Sequence, residues 1–61
     1  MLIQAIINGK KASMMKREMI SLYHFFKDEN PDDFIIEVNS KSTKNLDYVI
    51  RDNDTIDIFR R

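Results

Sequence analysis

Sixty-one residues, ten Lys or Arg, ten Asp or Glu and a formal net charge of zero describe one domain close to the lower size limit for independent folding. The balanced charge excludes the cation surplus that binding a nucleic-acid backbone requires. The absence of cysteine excludes disulfides, thiolate metal sites and a cysteine nucleophile, and the single histidine, His24, cannot build a zinc site by itself.

The first predicted element is a strand, Leu2-Ile3-Gln4-Ala5-Ile6-Ile7, rich in β-branched residues and too short for a helix. Asn8-Gly9 follows, a pair that tolerates positive φ and signals a tight hairpin. Lys10–Lys16 is therefore the returning strand, with Ala12 and Met14 on one face. From Glu18 the period changes. Met19, Leu22, Tyr23 and Phe26 fall at i, i+3, i+4 and i+7, which predicts one amphipathic helix, widened by Ile20 and Phe25. On this reading Met14 and Met19 fill the core. The helix has no N-cap residue at its start. Asn30-Pro31 stops it, and Asp28, Glu29, Asp32 and Asp33 mark a solvated loop.

Phe34–Val38 predicts a third strand, ended by the turn-like Asn39-Ser40-Lys41-Ser42. The polar stretch Ser40–Asn45 has room for a very short edge strand. Leu46–Ile50 supplies further buried side chains. Arg51-Asp52-Asn53-Asp54 forms a tight turn, and Thr55–Phe59 alternates as a final strand. The expected fold class is α+β: a mixed four-stranded sheet, with a short extra edge strand, and one helix packed across one face. The whole chain, 1–61, forms one domain.

Three stretches carry a family resemblance. The opening hairpin Leu2–Lys10, the strand Phe34–Val38 ending in Val38-Asn39, and Val49-Ile50-Arg51-Asp52-Asn53-Asp54-Thr55-Ile56-Asp57-Ile58-Phe59 together resemble the ubiquitin-like β-grasp family, and within it the small sulfur carriers of ThiS and MoaD type. Asn53 stands where that family usually has glycine in an Asp-Gly-Asp turn, a mild change because asparagine is the next best residue in a left-handed conformation. The likeness departs at Arg60 and Arg61. Sulfur carriers end in Gly-Gly, whose carboxylate is adenylated by a ThiF/MoeB-like enzyme and converted to a thiocarboxylate. The expectation is therefore a ThiS-like interaction domain associated in cis or in trans with such an adenylyltransferase or sulfur-transfer system, itself not competent for thiocarboxylate formation. One alternative is a sulfur carrier of thiamine or molybdopterin biosynthesis whose Gly-Gly tail lies outside this sequence. Another is a TGS-like accessory domain.

His24 has no Ser, Cys or Asp partner that the sequence can vouch for, so no catalytic residue, metal or cofactor is expected and the chain reads as a non-enzyme. Lys10, Lys11, Lys16 and Arg17 read as solubilising charge. The apolar residues left on the wrong side of the sheet say more. If Ile3, Ala5, Ile7, Phe34, Ile36, Val38, Ile56 and Ile58 face the helix, then Leu2, Ile6, Ile35 and Phe59 face away and form an outer patch. That patch is the expected docking surface for a protein partner or a homodimer. No segment reads as a secretory signal or as long enough to span a membrane, which points to the cytoplasm.

Overall fold

The computed structural model describes all 61 residues. Leu2–Ile7 (β1) and Lys10–Met15 (β2) pair antiparallel, with Ile7 opposite Lys10. The two residues between them, Asn8 (φ 50°) and Gly9 (φ 83°), both occupy the left-handed region, as a two-residue type I′ hairpin demands. Phe34–Val38 (β3) turns in the same way into Lys41–Ser42 (β4), through Asn39 (φ 51°) and Ser40 (φ 71°). Thr55–Arg60 (β5) enters the centre of the sheet, parallel to β1 and antiparallel to β3. The result is a mostly β fold with one mixed five-stranded sheet in the order β2-β1-β5-β3-β4.

Joining parallel neighbours requires a long crossover, and here the crossover also builds the cover of one sheet face. Ile3 and Ala5 of β1, Phe34 and Ile36 of β3, and Ile56 and Ile58 of β5 point to that face. They are buried under Ile20, Leu22, Phe26 and Ile50. The rings of Phe26 and Phe34 meet edge-on with centroids 5.7 Å apart. Leu46 and Tyr48 pack at the margin, half-buried.

The predicted amphipathic helix does not form. Only Leu22–Phe26 turns, as a 3₁₀ helix, with a second 3₁₀ turn at Pro31–Asp33. The chain contains no α-helix. Of the proposed stripe, Leu22 and Phe26 are buried while Met19 is 77% and Tyr23 57% exposed, so Met19 is no core filler. The backbone explains the difference. Ser21 bridges Val49, Ile50 N–H donates to Ile20 C=O (2.9 Å), Leu22 N–H to Tyr48 C=O (3.1 Å) and Tyr23 N–H to Leu46 C=O (3.2 Å). Ile20 and Ser21 thus run extended beside Val49 and Ile50, and the first two N–H groups of the 3₁₀ turn are spent on 46–48, not on an i→i+4 ladder. A stretch of about ten residues without an N-cap is marginal as a helix, and this tertiary pairing outcompetes it. The short extra edge strand expected in the polar stretch does form, as β4 over Lys41–Ser42, and brings the sheet to five strands. No helix is long and apolar enough to cross a membrane.

Candidate protein-interaction surface

Residues 20–26 and 46–50 supply the buried side chains Ile20, Leu22, Phe26 and Ile50 to the one core, while no strand residue on the opposite face of the sheet is buried. Side chains alternate along a strand, so that outer face carries the residues between the buried ones. In β1 these are Leu2, Gln4 and Ile6, in β3 Ile35 and Glu37, and in β5 Thr55, Asp57 and Phe59.

The register places the four residues of the sequence-predicted patch. Ile35 and Phe59 are direct cross-strand partners. Ile6 stands opposite Asp57, which makes Phe59, two residues on, its diagonal neighbour on the same face. These three form one contiguous half-buried group. Leu2 shares their face but is separated from Ile6 by Gln4. Its own neighbour is Met15, directly opposite on β2 and 74% exposed. The face therefore has two apolar regions with a polar row of Ser13, Gln4 and Thr55 between them.

Sequence reasoning missed the charge at the centre of this face. Glu37 and Asp57 stand directly opposite each other on β3 and β5, both half-buried. The fold's single ion pair, Arg60 to Glu29 at 3.8 Å, involves neither. Lys11, exposed on β2, is opposite Ile6 and lies in the same cross-sheet row. Alternation alone assigns these residues to the outer face, but only the strand register aligns them.

A second missed feature is the buried carboxylate of Asp54, 7% exposed. Its Oδ1 accepts from Asn39 Nδ2 (2.9 Å), and its Oδ2 accepts from Tyr48 Oη (2.7 Å) and Arg51 N–H (2.8 Å). Asn39 Oδ1 in turn accepts from Thr55 N–H (3.0 Å). Beside it, Asp52 Oδ1 accepts from Leu2 N–H (2.7 Å) and Asn53 N–H donates to Leu2 C=O (2.8 Å), so the 51–54 turn fixes the start of β1. Asn53 holds φ 67°, the left-handed position that the sequence assigned to it. This network ties three turns together.

Arg60 ends β5, its N–H bonded to Asn8 Oδ1 (3.0 Å) and its guanidinium 4.8 Å above the Phe34 ring. Arg61 donates from its N–H to Asp33 C=O and from Nε to Asp32 C=O, both 3.0 Å. Both arginines are thus strapped to residues 29–34. His24 sits edge-on to Phe25 at 5.5 Å. A groove of about 640 Å³ runs along the open edge of β3 at Phe34–Ile36, where β4 is too short to pair, with Pro31, Leu46, Lys44 and Arg61 among its walls. Comparison with protein families, curated proteins and solved structures finds no match to this chain.

Proposed function

We propose that this chain is a β-grasp-like, ThiS-type interaction module that performs no chemistry itself and docks a protein partner through its outer sheet face. The mixed sheet with β1 and β5 parallel at its centre supports the β-grasp reading, although a 3₁₀ turn stands where that fold has its helix. The observation that carries the functional reading is the uncovered face itself. In a domain this small, apolar surface is scarce, and leaving Ile6, Ile35 and Phe59 together on a face without cover forgoes stabilisation of about 25 cal/mol for each Å² that burial would remove from water. The partner class that the sequence motifs suggest is a ThiF/MoeB-like adenylyltransferase or a related sulfur-transfer protein.

The test is calorimetric titration of a ThiF-type adenylyltransferase into the domain, with and without the double substitution Ile6→Ser and Phe59→Ser. The expected result is a folded variant with binding weakened at least about tenfold, since hot-spot truncations cost about 2 kcal/mol or more and tenfold is about 1.4 kcal/mol. Undiminished binding by the variant would overturn the docking role of the face, and loss of its fold would place both residues in the core.

A further inference from the structure

One row of the outer face, read across the sheet, runs Lys11 on β2, Ile6 on β1, Asp57 on β5 and Glu37 on β3. Two carboxylates directly opposite each other on neighbouring strands repel, and no side chain of this chain forms an ion pair with either. Lys11 is the one cation in the row, but it lies two strands from Asp57, about 9.6 Å across the sheet. The repulsion is relieved when a cation arrives from outside, and the row carries such a cation at the matching distance.

With β1 as the centre, Lys11 lies one strand to one side, and Asp57 and Glu37 lie one and two strands to the other. A two-fold rotation about an axis along β1, between two faces stacked about 10 Å apart, exchanges those sides. We infer that the outer face takes a second copy of this chain, stacked so that Lys11 of each copy lies over Asp57 and Glu37 of the other. The same operation sets Ile6 over Ile6 and Leu2 over Leu2, while Phe59 flanks the charged contact. The surface is self-complementary, as a two-fold interface requires. Principal extents of 29 × 21 × 21 Å limit one face to about 600 Å², so the dimer buries about 1,200 Å² in total, the low end for specific association. It is a weak, concentration-dependent dimer, and its charged contacts make it weaken with salt.

This inference rests on the reading of the outer face as a docking surface, and a heterologous partner would compete for it. Sedimentation equilibrium over a concentration series, at low and high salt, tests it. The unmodified chain is expected to dimerise reversibly, less so at high salt. Lys11→Glu alone, and Glu37→Lys with Asp57→Lys, should each weaken self-association at least about tenfold by like-charge contact. Mixed one to one, the two variants should associate again, because each of the two charged contacts then joins opposite signs. Circular dichroism checks that every variant is folded. Should the double lysine variant fail to fold, Glu37→Gln with Asp57→Asn replaces it, with the same expected loss and without the rescue. A chain that stays monomeric up to about 1 mM, the weak limit for so small an interface, overturns the inference, as does a Lys11→Glu variant that dimerises normally or a folded mixture that does not associate. If the chain is monomeric yet binds the adenylyltransferase through Ile6 and Phe59, the dimer fails and the docking face stands. If neither association occurs, both readings fall.

Discussion

Asp54 is the one charged side chain that the fold buries, and the three donors around it decide its ionisation. Burial by itself pushes its pKa up. The hydrogen bonds from the Tyr48 hydroxyl, the Arg51 N–H and the Asn39 amide outweigh burial, and the net position is below that of an ordinary aspartate. Tyr48 moves the other way, first through its hydrogen bond to the Asp54 carboxylate and then through burial. The signs fix the pH window. A carboxyl depressed in the folded state contributes stability that is complete above its unfolded value of about 3.9 and is lost as pH falls through the folded value. A phenol raised in the folded state contributes below its unfolded value of about 10 and loses that contribution as pH rises through the folded one. Thermal melts across pH should show both limbs, and Tyr48→Phe should remove this alkaline contribution at a cost of about 0.5–1.5 kcal/mol near neutrality. Asp54→Ala strands three donors and should cost about 2–3 kcal/mol. An unchanged melting temperature in Asp54→Ala would show that the hub holds nothing.

Among the elements, strands followed from sequence where a turn set their register. Asn8-Gly9 and Asn39-Ser40 occupy left-handed φ values at two-residue connections, and each closes a hairpin whose alternation then decides every face. The helix at residues 18–27 failed for a reason that sequence periodicity cannot see. Leu22 and Phe26 satisfy a helical stripe, yet they are also buried from an extended and 3₁₀ course, because the 46–50 segment is there to accept and donate backbone hydrogen bonds. This has a direct consequence at Met19. In an exposed helix interior glycine costs about 1 kcal/mol relative to alanine, but at a non-helical, 77% exposed position Met19→Gly and Met19→Ala should differ by less than about 0.5 kcal/mol. Far-UV circular dichroism should correspondingly lack a helical minimum. A Gly–Ala gap of a full kcal/mol would restore the helix.

At the scale of the whole molecule, one core under one sheet face holds the fold, and the other face contributes little to it. Ile58 is 2% exposed at the centre of that core, in one cluster with Ile3, Phe26 and Ile36. Ile58→Ala should cost about 2–5 kcal/mol. That is a large share of the stability of a small domain, so the variant should be largely unfolded near 37 °C by urea or thermal titration. The Ile6→Ser, Phe59→Ser variant should behave oppositely, melting close to the parent. A mild Ile58→Ala would mean that β5 does not sit in this register. The contrast between the two variants separates residues that make the fold from those that face outward.

The strands, the turns that join them and the alternation of buried and outward side chains were determined by the sequence itself, because residue type and period act locally. The conformation of residues 18–27, the buried environment of Asp54 and the row of Lys11, Ile6, Asp57 and Glu37 were decided only in the tertiary structure. Each depends on segments far apart in the chain coming into register: 20–23 against 46–50, Asn39 against Asp54, and four strands side by side. Hydrogen bonds and charge pairs between such segments carry no local sequence period, so their partners become defined when β5 inserts between β1 and β3.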